Sequence, residues 1–163
     1  MPPINARWST TVVLILSMVI TVGQPADIPP PPDRASGTDS VYFNDQYNWI
    51  WDNFLYTRPD TAFELAGAMY REALGPGLEI WAAKALDLQG ITWYVRGQPL
   101  KAAEYSSRTI PIYEALNDRQ ALASTLGNTG AFLMRGSLYD SALVVLRQAL
   151  IVQEELHDTV GMA

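Results

Sequence analysis

Few side chains in this chain could do chemistry, and their spacing argues against it. His157 is the single histidine, hence the single side chain that ordinarily titrates near neutrality. It stands beside Asp158 at an expected helix end, where the helix dipole favours a cation. Glu154 and Glu155 could be imagined as a carboxylate pair for acid–base work. Adjacent helical residues, however, point about 100° apart, so this pair reads as a solvated face. Asp118 and Asp158 recur at a fixed interval and read as helix N-caps. The absence of cysteine excludes disulfides, thiolate zinc sites, a cysteine nucleophile and a lipid-modified cysteine. Neither GxGxxG nor GxxxxGK[ST] occurs, so the glycines form no phosphate loop. The expectation is a protein without catalytic residues, cofactor or metal.

Charge narrows the partners. Seventeen acidic against eleven basic residues give a formal charge of −6, which argues against nucleic acid and against an anionic membrane surface. With 163 residues, 48% of them apolar and only 17% charged, the chain has enough material for one domain with a real core.

That material is unevenly spread. Residues 1–23 combine one base, Arg7, with the apolar run Thr11–Val22 and a following Gly23. The run falls short of the roughly 20 residues needed to span hydrocarbon. It reads as a secretory signal peptide, with an uncleaved membrane anchor as the alternative. The expected location is periplasmic or extracellular. Residues 24–42 read as a Pro-rich linker, in which Pro29 to Pro32 favour an extended spacer. Residues 43–163 carry apolar residues at three- and four-residue spacing, without sustained alternation, which predicts helices and no strands.

Within this region the sequence repeats. Residues Ala83–Asp118 match Ala123–Asp158 at an offset of 40: Leu86 with Leu126, Gly90 with Gly130, Ala102 with Ala142, Leu116 with Leu156. Asp60-Thr61-Ala62 lies over Asp140-Ser141-Ala142 at an offset of 80. Three copies follow, each a helix pair. The first pair is Asp45–Tyr56 and Asp60–Leu74, the second Glu79–Arg96 and a helix from Pro99. The third is Arg119–Arg135 and Tyr139–His157. Pro111 should kink or end its helix early. Of Trp49 and Trp51, at least one is expected in the core.

The pairing of Gly90 with Ala102 and Gly130 with Ala142, followed by Ala149, resembles the tetratricopeptide repeat family. Small residues at these places let two helices cross closely. The usual period there is about 34 residues, whereas the one here is 40. A forty-residue period also suits HEAT and armadillo arrays, but the Gly–Ala spacing favours the tetratricopeptide pattern. The resemblance implies an all-α, right-handed α-solenoid of antiparallel helix pairs that binds a protein or peptide. It also implies a contact surface on the first helix of each pair: Trp51 and Phe54, then Lys84, Asp87, Ile91 and Tyr94, then Ser124, Asn128, Ala131 and Arg135. Asp87 and Ile91 stand where carboxylate-clasping arrays carry Asn and Lys, which disfavours that ligand. The chain is also similar to extracytoplasmic sensor regions that precede a membrane helix and a kinase or DNA-binding output. The expectation is therefore an exported interaction scaffold, with a sensor region lacking its output domain as the alternative. Asp158 onward reads as the start of a fourth repeat. A truncated array is expected there, or an uncapped end that docks on a partner or a second copy.

Overall fold

The computed structural model describes residues 28–34 and 38–161, with residues 158–161 described by backbone alone. The expected signal peptide at 1–23 lies outside the described residues. Contacts separate residues 1–31 from residues 32–163, and all the described helices belong to the second unit. They are α1 (Asp39–Phe54), α2 (Pro59–Glu72), α3 (Glu79–Val95), α4 (Pro99–Ser107), α5 (Ile110–Ala115), α6 (Arg119–Arg135) and α7 (Tyr139–Gly161). No strand occurs among the described residues, and the fold is all-α. No described helix is long and apolar enough to cross a membrane.

Helix starts at 39, 59, 79, 99, 119 and 139 restate the sequence period in the backbone. Local chemistry sets these starts. Thr38 accepts from the Val41 amide at 3.4 Å, and Asp118 accepts from the Ala121 amide at 2.9 Å, each satisfying a helix-end donor. Pro59 and Pro99 occupy first turns, where the missing N–H costs nothing.

The stops also recur. Gly97 and Ser137 both have positive φ, as do Gly77 and Asn117, and each pair is 40 residues apart. After α3, α5 and α6 the left-handed residue is followed by an amide reaching back to a carbonyl in the last turn. These bonds run from Gln98 to Trp93, Asp118 to Tyr113 and Leu138 to Leu133, at 2.9–3.0 Å. This is the Schellman closure, which satisfies carbonyls the helix leaves open.

The principal contacts join helices that are consecutive in the chain or one removed: α1 to α2 and α3, α2 to α3, α3 to α4 and α5, α4 and α5 to α6, α6 to α7. Phe43 stacks on Trp81 at 6.0 Å, tying α1 to α3. Phe63, Trp93 and Tyr105 form a ring cluster across α2, α3 and α4, with centroids 5.3–6.4 Å apart. Helix α3 has buried residues on every side, from Trp81 through Leu86 and Leu88 to Thr92, as befits a central helix.

Several expectations need correction. The array begins at Asp39, so the linker does not extend to residue 42: Tyr42 is buried in α1. Arg34 is held too, 3.0 Å from Asp39 and with its guanidinium over the Tyr42 and Phe43 rings. The second helices of the three pairs differ in length. Helix α2 ends at Glu72, and the second copy is split into α4 and α5 by a break at Arg108–Thr109, just ahead of Pro111. Asp158 caps no new helix, because α7 continues through it to Gly161.

Candidate binding surface

The chemistry-bearing residues fall into two settings, one enclosed and one open. The enclosed setting centres on Asp87 of α3. Its carboxylate accepts from the Tyr113 hydroxyl at 2.7 Å (Oδ2), from Thr109 at 3.0 Å (Oδ1) and from Thr125 at 3.5 Å (Oδ2). These donors come from α5, the break before α5, and α6. The Thr109 hydroxyl is also 2.9 Å from the Ser106 carbonyl, so one proton is shared between the helix break and the carboxylate. Burial pushes Asp87 up to about 6, although the three hydroxyl donors pull the other way. The Tyr113 phenol is raised by burial and then by the Asp87 charge.

Asp87 was expected as a partner contact. The structure instead turns it inward as a three-way tie between helices. Its three hydroxyl donors come from successive parts of the chain, so the carboxylate is positioned to hold helices together. Among the described residues no group of three His, Asp or Glu side chains converges as a metal site requires.

The open setting is a ladder of side chains on α1, α3 and α6. The 40-residue register makes Tyr47, Asp87 and Gly127 equivalent, Asp87 being the one drawn into the enclosed setting, and likewise Trp51, Ile91 and Ala131. Tyr47 and Trp51 stack at 5.9 Å on α1. Burial first, and then the charge of Asp87, pushes the Tyr47 phenol up to about 12. Size falls from α1 to α6 along both rungs. Nothing lies within 4 Å of where a Cβ on Gly127 would sit, so the ladder opens into free space on α6.

The expected contact residues distribute unevenly. Trp51 and Lys84 are half-exposed, the Lys84 ammonium lying 4.6 Å over Trp81. Ile91 and Tyr94 are half-buried against Ala102, Ala103 and Phe132, with Tyr94 5.0 Å from the Phe132 ring and Arg135 over Tyr94 at 5.4 Å. Ser124, Asn128, Ala131 and Arg135 are exposed on one side of α6. Phe54 does not belong with them. It is fully buried, edge-on to Trp49 at 4.8 Å, because the last turn of α1 closes over the core as the chain enters α2.

The small residues of the repeat are all buried: Gly90, Ala102, Gly130, Ala142 and Ala149. A Cβ on Gly90 would sit 3.3 Å from the Ala102 carbonyl oxygen and 3.4 Å from the Ser106 amide. On Gly130 it would lie 2.5 Å from Leu146 Cγ. Ser106 and Leu146 are one period apart, so both glycines serve the same crossing.

Tyr47, Thr109, Tyr113 and Thr125 were not singled out from sequence. The repeat register could have found Tyr47, which aligns with Asp87. The three donors to Asp87 could not be found that way, since their convergence depends on how α5 and α6 pack.

The molecule thus belongs to the class of all-helical proteins built from successive helix hairpins. No protein-family model, curated protein or solved structure matches the chain.

Proposed function

We propose that this chain is a non-catalytic scaffold of tetratricopeptide type, a right-handed solenoid whose helix ladder on α1, α3 and α6 holds a protein or peptide. The observation that carries this reading is the shared 40-residue recurrence of helix starts, positive-φ stops and ladder rungs. Such repetition aligns one partly exposed side chain per hairpin along a surface, the arrangement by which repeat arrays bind extended partners. The rungs and the side chains beside them mix aromatic, aliphatic and polar groups: Tyr47 and Trp51, Lys84 and Ile91, Asn128 and Arg135. Aromatic and Arg side chains are the usual anchors of interfaces. Export belongs to the same reading and rests on the Thr11–Val22 run; the mature N-terminus should then lie near Gln24 or Asp27, and an intact Met1 in cytoplasmic protein would end that part of it.

Selection from a displayed library of linear peptides tests the binding surface. Selected peptides should lose about tenfold or more in affinity with Trp51→Ala and with Ile91→Asp. They should bind Glu104→Gln, on the exposed side of α4, as they bind the parent. A library that yields no binder, or binders indifferent to both ladder substitutions, would overturn the reading.

A further inference from the structure

Asp87 is an enclosed acid without a counter-charge. Its carboxylate meets three hydroxyls and, among the described residues, no Lys, Arg or His within ion-pair reach. Lys84, one turn earlier on α3, lays its ammonium over the Trp81 ring instead. The titratable groups facing Asp87 are Tyr47 of α1 and Tyr113 of α5, with Asp118, at the start of α6, behind Tyr113. Helix α6 adds the Thr125 hydroxyl, and no ionisable side chain of α2 or α4 acts on the carboxylate. Hydroxyls satisfy its lone pairs, but they do not replace the water that would screen its charge.

The neutral acid, by contrast, has a ready seat. A protonated Asp87 must donate, and the Thr109 hydroxyl can accept, because its own hydrogen has the Ser106 carbonyl 2.9 Å away. Hydroxyl rotations suffice for the exchange. Closed, the site suits the protonated carboxyl; opened to water, it suits the ion.

The neighbouring element best able to open is α5. It has six residues, follows the break at Arg108–Thr109, and carries Pro111, which offers no amide to bridge that joint. The amides of Arg108 and Thr109 reach back to the Tyr105 and Ser106 carbonyls at 3.1–3.2 Å, so the joint is held by tight-turn bonds. What seats α5 is the buried Tyr113, with Ile110 and Ile112 against the Leu122–Leu126 cluster.

We propose that α5 is a flap released by ionisation of Asp87: the protonated carboxyl keeps it seated through Thr109 and Tyr113, and the ionised one favours an opened form that water reaches. The sign follows from burial. In water the acid releases its proton near 3.8, and in the closed site at about 6. Opening therefore grows as pH rises through that window and levels off above it. Only α5 and its joint move, so this is a local opening, separate from loss of the whole array. It goes beyond the proposed peptide-binding role and does not depend on it, since it is read on the chain alone.

Hydrogen exchange of the full chain at pH 5 and pH 7, resolved by residue and corrected for the intrinsic rate at each pH, is the test. Protection of the Ile112, Tyr113 and Leu116 amides, which bond to carbonyls of the joint and of α5, should fall about tenfold between the two. It should stay below that of Leu86 and Leu126, in the middle of α3 and α6, at both. Asp87→Asn should remove the change at α5, and Thr109→Ser, which keeps the hydroxyl, should retain it. The carbon-13 shift of the Asp87 carboxyl in the parent, which needs no variant to fold, should titrate near 6. A carboxyl that titrates near 4, α5 amides as protected as those of α3, or a pH response that persists in Asp87→Asn would each overturn the proposal.

Discussion

The Tyr113 hydroxyl donates to Asp87 Oδ2 across 2.7 Å and so fastens the short helix α5 to the centre of the array. Helix α5 has six residues, too few to be stable alone. It exists because its buried Tyr113 is fixed at both ends, by ring packing and by this bond. Tyr113→Phe should therefore cost about 1–3 kcal/mol, the range for a buried partner left without its hydrogen bond. Urea unfolding measures it, and an unchanged midpoint would remove Asp87 as an anchor.

The same carboxylate makes stability depend on pH. Asp87 is raised from 3.8 to about 6 in the folded chain. As pH rises from about 4, the unfolded chain releases its proton while the native state still holds it. Stability must then fall through that window and level off above about 6. The shift corresponds to at most about 3 kcal/mol. Glu72 is raised as well, chiefly by burial, and acts in the same direction. Denaturant midpoints should be higher at pH 5 than at pH 7, with a smaller difference in Asp87→Asn. Equal differences in the parent and this variant would contradict the assignment.

Two glycines on α6 should respond oppositely to alanine. At Gly130 a Cβ would be 2.5 Å from Leu146 Cγ, so Gly130→Ala should destabilise by about 1–3 kcal/mol through overpacking. At Gly127 a Cβ meets nothing within 4 Å, so Gly127→Ala should gain up to about 1 kcal/mol from helix propensity alone. Thermal melts of the two variants moving in the same direction would refute the crossing geometry.

The turn after α6 holds Ser137 at φ 61°, where its counterpart one period earlier is Gly97 at φ 73°. A left-handed serine costs roughly 1 kcal/mol that glycine avoids, offset in part by glycine's greater chain entropy. Ser137→Gly should raise the melting temperature by a few degrees, and Gly97→Ala should lower it. No change in either would mean that the Schellman closures are not under conformational strain.

Much of this architecture was legible in the chain. Helix starts at Glu79, Pro99, Arg119 and Tyr139 followed from Pro in first turns, an Asp cap and glycine breaks, all of which act within a few residues. The small residues at 90, 102, 130 and 142 also announced themselves, because a close crossing constrains residue type directly. What recurs locally can be read locally. The start of α1 has a local signal in the Thr38 cap, but the hold on Tyr42 and Arg34 comes from Glu72 of α2 and from the α1 rings, which lie far apart in the chain or depend on the fold.

Tertiary packing alone decided the fates of Asp87 and Phe54. Both lie on the first helix of a hairpin at positions where the resemblance implies an outward contact, yet one is drawn in by three hydroxyls and the other is sealed against Trp49. The sequence by itself determined period, helix content and close-packing positions, which depend on backbone preference and side-chain size. Only the folded array could decide which side of a helix meets solvent, because that depends on the side chains its neighbours place there.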